Sequence, residues 1–188
     1  MIRSVASSSD WAADFDAVVS QYWPKVFRFA LVSLRDRSAA ETIAQDCFTK
    51  AWQSRDRFRG DSSVATWLMQ IAVNLIRDHA RNRKLYFWRM LGSSGVDAQS
   101  AADLLSDGRT SPEMTVSAKE QLAAVWNATA SLPEMQKTVF LLRFVEDMDL
   151  LEIAEATGLR EGTVKTHLFR ALQTVRKKMS GTSLGAGK

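Results

Sequence analysis

Cysteine and histidine are scarce in this sequence. The 188 residues include one cysteine, Cys47, and two histidines, His79 and His167. One cysteine cannot form an internal disulfide or a thiolate metal cluster, and two histidines cannot build a histidine-rich metal site. The sequence therefore predicts a chain with no metal and no other cofactor.

Long apolar runs, proline and glycine are also few. No apolar run approaches the ~20 residues that a membrane span needs, and the first nine residues lack the apolar stretch of a secretory signal. Three prolines and nine glycines exclude collagen-like and low-complexity chains. We therefore expect a soluble cytoplasmic protein without membrane insertion, in a reducing compartment.

Basic residues are in small excess and are unevenly spread. Lys and Arg outnumber Asp and Glu by 25 to 21, a net charge of +4. The net charge is +5 over residues 1–91, −3 over residues 92–118 and +2 over residues 119–188. Two basic blocks that flank an acidic stretch favour a polyanionic partner that is contacted in two places.

The apolar pattern is helical along nearly the whole chain, and no run alternates with the period of a strand. An amphipathic stretch runs from Phe15 to about Leu34, with a kink or a break expected at Pro24. Ser38 and Glu41 have the spacing of a capping box at the start of the next helix. The buried stripe of that helix is predicted to comprise Ala40, Ile43, Ala44, Cys47, Phe48, Ala51 and Trp52.

The composition predicts two small all-α domains joined by a flexible linker. Residues 92–111 are rich in glycine, serine, alanine and aspartate, which is typical of linkers. The predicted boundaries are a flexible N-terminus at 1–11, a helical domain at 12–91, the linker at 92–111, a second helical domain at 112–179 and a flexible tail at 180–188.

The second predicted domain ends in a helix-turn-helix pattern. Asp149 and Glu152 have capping-box spacing, Gly158 stands where a left-handed C-cap is expected, and the last helix begins at about Glu161. A polar, basic face near a helix N-terminus suits the DNA major groove, although a solvated face of a helical hairpin has the same pattern. This face comprises Thr163, Thr166, Arg170 and Gln173, flanked by Lys165 and Phe169.

A second candidate nucleic-acid surface lies on the helix predicted from Ser63. Its apolar stripe includes Trp67 and His79, both interpreted as core residues. The basic segment from Arg77 to Lys84 is followed by Tyr86, Phe87, Trp88 and Arg89, and cations interleaved with aromatic residues are typical of platforms for single-stranded nucleic acid. An alternative of equal weight is that the aromatic residues belong to the core and the cations are merely solvated. The polar face of the helix comprises Gln70, Asn74, Arg77 and Arg81.

These segments resemble a known family. Residues 40–52 (AETIAQDCFTKAW), 58–62 (FRGDS) and 66–74 (TWLMQIAVN) are similar to the second region of bacterial sigma factors of the extracytoplasmic-function (ECF) class. Leu132-Pro133, residues 152–155 (EIAE) and residues 162–171 (GTVKTHLFRA) are similar to their fourth region. The family usually has Arg where this chain has His167, and His167 is therefore left out of the predicted site.

The resemblance implies three sets of site residues. Those expected to bind core RNA polymerase are Glu41, Gln45, Asp46 and Phe48. Those expected to hold the minus-ten promoter element, whose bases are unpaired when it melts, are Phe58, Arg59, Gly60, Asp61, Ser62, Asn74, Arg77 and Arg81. Those expected to bind the minus-thirty-five element in duplex DNA are Thr163, Lys165, Thr166, Phe169 and Arg170.

The resulting prediction is a promoter-specificity subunit, not an enzyme, that initiates transcription of a stress or envelope-type regulon. Its expected partners are core RNA polymerase, promoter DNA and an anti-sigma factor. The alternative is a free-standing helix-turn-helix regulator that binds duplex DNA as a dimer. A nucleic-acid-processing enzyme would need clustered acidic metal ligands, and Asp46, Asp61 and Asp78 are too scattered to provide them.

Overall fold

A computed structural model describes residues 14–58, 60–93 and 125–183, with side chains for 14–58, 60–83 and 125–180. These residues are helical or lie in turns, with no strand among them. The chain divides into two compact units, with the main division between residues 108 and 109. The predicted all-α fold is confirmed, whereas the predicted linker lies almost wholly outside the described residues.

The first unit begins with α1, Phe15–Leu34, whose first turn is capped by Asp14. The Asp14 carboxylate accepts a hydrogen bond from the Ala17 amide at 3.2 Å. The helix is not broken at Pro24, which lies inside it. Buried residues on both sides of Pro24, including Val18 and Phe29, hold the two halves on the same core. Their burial offsets the hydrogen bond that proline cannot make.

The second helix, α2, spans Arg37–Gln53 and is followed by a 3₁₀ turn at Arg55–Arg57. Its N-cap is Asp36, which accepts a hydrogen bond from the Ala39 amide at 3.0 Å. The capping box predicted at Ser38 and Glu41 is therefore wrong, because the helix begins before Ser38. Glu41 instead pairs with Arg37 at 3.0 Å, one turn earlier on the helix surface.

The third helix, α3, spans Val64–Ser93 and packs against α1 and α2. The hydroxyl of Ser63 accepts a hydrogen bond from the Thr66 amide at 3.0 Å, which satisfies one free donor at the helix start. The helix buries an almost unbroken apolar face. Its buried members are Leu68, Met69, Ala72, Val73, Leu75 and Ile76.

One member of the stripe predicted on α2 is not buried. Trp52 is 43% exposed, since it lies in the last turn of α2, at the edge of the core. Its indole ring lies 5.1 Å from the Phe15 ring, centroid to centroid. The Arg55 guanidinium lies 4.2 Å from the indole centroid. The other six predicted members are buried.

The chain after residue 108, which holds the second unit, contains a helical segment at 125–130, α4 at Glu134–Phe144, α5 at Leu150–Thr157 and α6 at Glu161–Ser183. Helix α4 packs against α6. The connection from α4 to α5 is closed by Arg143, which donates a hydrogen bond to the Met148 carbonyl oxygen at 3.0 Å. The helix-turn-helix predicted from the sequence is therefore present, with α6 as its second helix.

Candidate nucleic-acid interface

Three residues define the two ends of α5, the first helix of the helix-turn-helix. Asp149 and Glu152 exchange hydrogen bonds at 2.9 and 2.8 Å, each accepting from the backbone amide of the other, so the predicted capping box is confirmed. Gly158 has φ of +70°, the left-handed conformation that glycine adopts without a steric cost. Helix α5 therefore ends sharply at Thr157, and α6 begins at Glu161 after three intervening residues.

Helix α6 has one buried face and one exposed face. Val164, Ala171 and Val175 are buried. The residues predicted to bind the minus-thirty-five element all lie on the exposed side: Thr163, Lys165, Thr166, Phe169 and Arg170. Phe169 is 62% exposed, which is unusual for a large aromatic side chain in a folded unit. An exposed ring beside cations is suited to contact with a thymine methyl group in a major groove.

Two of these side chains already have partners on α6. The Lys165 ammonium lies 2.6 Å from Glu161 Oε1, one turn earlier. The Thr166 hydroxyl donates a hydrogen bond to the Gly162 carbonyl oxygen at 2.9 Å, which fixes its rotamer against the helix. The pairing of Lys165 was not foreseen from the sequence, although the Glu-to-Lys spacing of four residues is the signal that predicts it.

His167 has a different environment from its neighbours on α6. Its side chain is half-buried, and its Nδ1 atom is buried without a hydrogen-bond partner among the described residues. A histidine turned partly into the unit is poorly placed to replace the Arg that the family usually has there. Its omission from the predicted site is consistent with this position.

The polar face predicted on α3 is solvent-exposed. Gln70, Asn74, Arg77 and Arg81 are all exposed, one turn apart along the helix. Arg81 pairs with Asp78 at 3.0 Å, so part of its charge is offset. The Asn74 carboxamide makes no hydrogen bond within the described part of the chain. Since a carboxamide can both donate and accept, Asn74 is able to bind a base edge.

The segment before α3 is only partly described. The Phe58 ring is half-buried and lies 5.0 Å from the ring of Trp67, centroid to centroid, which ties the segment to α3. Gly60 has φ of +76°, Asp61 is exposed and Ser62 is half-buried. Arg59 lies outside the described residues. The structure thus brings Phe58 against the first turn of the helix that carries Asn74.

The residues predicted on α2 divide into two groups. Gln45 and Asp46 are exposed, and Glu41 is half-buried and paired with Arg37. Phe48 is 5% exposed, and its ring packs within 6.4 Å of Phe15 and 5.7 Å of Trp23, centroid to centroid. A direct contact between Phe48 and a partner does not fit this burial. Phe48 supports the helix from within the core, and the exposed aromatic residue on α2 is Trp52.

The described residues contain neither a metal-binding cluster nor a membrane-spanning helix. Within 14–58, 60–93 and 125–183, no three His, Cys, Asp or Glu side chains are grouped so that they could hold a metal ion. No helix in these ranges combines the length and the apolar character that crossing a membrane requires.

Two family models match the two units of the chain. The model described as Sigma-70 region 2 matches residues 18–86, and the model described as Sigma-70, region 4 matches residues 122–175. The ECF RNA polymerase sigma factor SigW of Bacillus subtilis is 30% identical over 168 residues, which cover 88% of each chain. The chain belongs to the ECF sigma factors. Region 2 separates it from free-standing helix-turn-helix regulators, so this sigma factor is a promoter-specificity subunit of RNA polymerase.

Other relatives agree with the family of this sigma factor. The ECF RNA polymerase sigma-E factor of Escherichia coli is 34% identical over 170 residues, which cover 88% of this chain and 86% of that protein. The sigma factor RpoE of Bartonella quintana, solved in complex with the anti-sigma factor NepR, has the same fold. Its TM-score is 0.68 at 22% identity, covering 89% of this chain and 97% of that chain.

Proposed function

We propose that the three predicted surfaces divide the work of this sigma factor. Helix α2 binds core RNA polymerase, the polar face of α3 with the segment before it holds the melted minus-ten element, and the exposed face of α6 binds the minus-thirty-five element. We also propose that the protein acts in the cytoplasm, where a polymerase subunit meets the chromosome.

The observation that carries this proposal is the exposed face of α6. Lys165, Phe169 and Arg170 lie on the side away from the buried Val164 and Ala171. In a helix-turn-helix the second helix enters the major groove with its N-terminal residues on the base edges. Lys165 is near that end and is suited to a guanine, whereas Arg170 lies more than one turn further on and is suited to a phosphate.

The exposed face of α3 supports the minus-ten assignment. Asn74 has an exposed side chain between Gln70 and Arg77, which lie one turn away on either side. A base extruded from the duplex presents hydrogen-bonding groups that the Asn74 carboxamide can read, and the Arg77 guanidinium can hold the adjoining phosphate. No nucleotide is consumed in this scheme, because opening of the element is driven by the binding of its unpaired bases.

Polymerase binding is assigned to the exposed polar residues of α2. Gln45 and Asp46 are available to a partner, while Phe48 keeps their helix in place through Phe15 and Trp23. Substitution of Asp46 by Ala is therefore expected to weaken polymerase binding without unfolding the first unit. Substitution of Phe48 by Ala is expected to destabilise the unit itself by ~3–5 kcal/mol.

We further propose that an anti-sigma factor holds this sigma factor inactive. The likeness to a sigma factor that was solved with its anti-sigma factor supports the idea. Three exposed apolar side chains are available to a protein partner, namely Trp52, Phe144 and Leu151. A partner that covers Trp52 would also cover α2, so the anti-sigma factor and core polymerase are expected to compete.

The decisive experiment is reconstitution with core polymerase. The purified chain and core enzyme should co-elute, and the complex should give defined run-off transcripts from a genomic library. Binding to a promoter obtained in this way is then measured for the isolated chain and for the holoenzyme at two salt concentrations. We expect weak, strongly salt-dependent binding by the isolated chain and sequence-specific binding by the holoenzyme.

The residue assignments are tested with the same promoter. Asp46→Ala should lower the yield of holoenzyme, whereas Lys165→Met should leave that yield unchanged and lower promoter binding. Tight, specific binding by the isolated chain, with no gain from core polymerase, would contradict the proposed division of work.

A further inference from the structure

One ion pair joins two side chains on the exposed face of α6. Lys165 Nζ lies 2.6 Å from Glu161 Oε1, and the two side chains are 59% and 41% exposed. Glutamate one turn ahead of lysine is the favourable order for such a pair on a helix. Glu161 also lies in the first turn of α6, where the helix dipole stabilises a carboxylate. Both features favour the pair in the free protein.

The pair determines where the Lys165 ammonium lies. A lysine side chain is flexible, and without a partner its charge would sample many positions around the helix. The bond to Glu161 draws the ammonium back toward the N-terminus of α6, the end that enters the groove in this motif. An ammonium has three N–H donors, so two remain for the O6 and N7 acceptors of a guanine.

The Glu161 carboxylate also affects non-specific DNA binding. Most affinity for mismatched DNA comes from cations that neutralise phosphates. Glu161 offsets the charge of Lys165 and repels phosphates near the start of α6. The same residue can therefore weaken binding to any DNA while it strengthens the preference for one base pair.

We propose that Glu161 is a specificity-determining residue for the minus-thirty-five element, acting by positioning Lys165 against one base pair. The inference rests on the proposed function of Lys165 as a base-reading residue. It adds that the preference at that base pair depends on a carboxylate one turn away. It also adds that the neutral variant binds DNA more tightly and with less discrimination.

The test compares holoenzymes that contain the full chain with Glu161→Gln, Glu161→Asp, Lys165→Met, or Glu161→Gln together with Lys165→Met. The probes are duplex promoters selected by the unmodified holoenzyme from a random library, and every single-base variant of their minus-thirty-five element. Glu134→Gln is the matched control, because it removes an exposed carboxylate from the first turn of α4. Thermal unfolding of each variant checks that the second unit remains folded.

Glu161→Gln is expected to lower the preference at the Lys165 base pair about twofold, the scale of one helical ion pair, out of the roughly tenfold or greater preference that one good base contact supplies. It should raise affinity for mismatched DNA by about twofold, the scale of one helical ion pair. Glu161→Asp keeps the charge but withdraws the carboxylate, so it should lower the preference without that rise. In the Lys165→Met background, Glu161→Gln should not change the preference further.

The outcomes separate this inference from the function on which it rests. If Lys165→Met leaves every base preference unchanged, Lys165 does not read a base and both proposals fail. If Lys165→Met removes a preference that Glu161→Gln and Glu161→Asp retain, only the role of Glu161 is overturned. A further loss of preference in the double variant would show that Glu161 contacts DNA by itself, which also overturns positioning.

Discussion

The Cys47 thiol donates a hydrogen bond to the backbone carbonyl oxygen of Leu68, with 3.4 Å between sulfur and oxygen. This bond crosses from α2 to α3 at a position where Cys47 has no exposed surface. Burial raises the pKa of the Cys47 thiol to about 12, and the nearby charge of Lys50 counters only part of the rise. The thiol is therefore protonated at neutral pH and is not a nucleophile.

The raised pKa of Cys47 predicts a pH dependence of stability. In the unfolded chain the thiol loses its proton as the pH passes about 9, whereas in the folded chain it keeps it until about 12. Deprotonation therefore favours the unfolded state, and the contribution is complete below pH 9 and is lost between these two values. Urea unfolding of the native chain and of Cys47→Ala, measured at about pH 8 and about pH 10, checks this.

The native protein should lose more unfolding free energy between these two conditions than Cys47→Ala, by up to ~1.4 kcal/mol for one pH unit above the unfolded pKa. Only the difference in pH dependence matters here, because the alanine variant also has a cavity that lowers its stability at every pH. If both proteins lose the same unfolding free energy between about pH 8 and about pH 10, the raised pKa of the Cys47 thiol is contradicted.

Two glycines beside the turn before α6 should respond in opposite ways to alanine. Gly158 has φ of +70°, and an added Cβ there would meet nothing within 4 Å, so Gly158→Ala has a purely conformational cost of ~1 kcal/mol. Gly162 also has open space, and the first turn of α6 gives it a helical backbone. Gly162→Ala should therefore stabilise the second unit by ~0.5–1 kcal/mol. Thermal unfolding of the two variants provides the comparison, each serving as the control for the other.

Asn74→Ala should slow promoter opening and leave folding intact. Asn74 is exposed on α3, so its loss should change stability by only ~0.5 kcal/mol. Loss of a base contact worth ~1.4 kcal/mol would reduce the rate of open-complex formation about tenfold. The rate is measured with the reconstituted holoenzyme on a set of single-base minus-ten variants. Asn127→Ala, an exposed asparagine of the second unit, is the matched control. Identical opening by the Asn74 and Asn127 variants would remove Asn74 from the site.

Arg170→Ala should weaken minus-thirty-five binding equally on all sequences. If Arg170 holds a phosphate, its loss should lower the salt dependence of binding by about one unit in the log-log slope. Arg176→Ala removes an exposed cation elsewhere on α6 and is the control. Binding is measured at several salt concentrations on single-base variants of the element. A flattened preference at one base pair with an unchanged slope would assign base reading to Arg170 instead.

Much of the fold could be predicted because its signals are local. The apolar stripe of α6 and the cap formed by Asp149 and Glu152 depend on residues at most a few turns apart, so periodicity and spacing reveal them. The capping-box spacing predicts the N-cap of α2 two residues too late, at Ser38 instead of Asp36, and the reason is also local. Asp36 and Ser38 are both good caps, and their spacing alone does not decide between them.

The candidate site could be predicted from the sequence where it depends on one helix. The exposed face of α6 follows from projecting one helix, and the side chains from Thr163 to Arg170 lie where that projection puts them. The surface of α2 is harder to predict than that of α6. Phe48 and Trp52 both belong to its apolar stripe, and nothing within α2 tells which ring another helix covers.

Residue pattern alone therefore predicts that this protein is all-α, that it ends in a helix-turn-helix and that it resembles an ECF sigma factor. These features depend on contacts along single helices and on short motifs. The packing of the helices is needed to show that Phe48 is covered by Phe15 and Trp23 while Trp52 stays exposed, and that Phe58 lies against Trp67. The physical reason is that burial depends on which side chains of other segments occupy the same space, and that information lies outside any one helix.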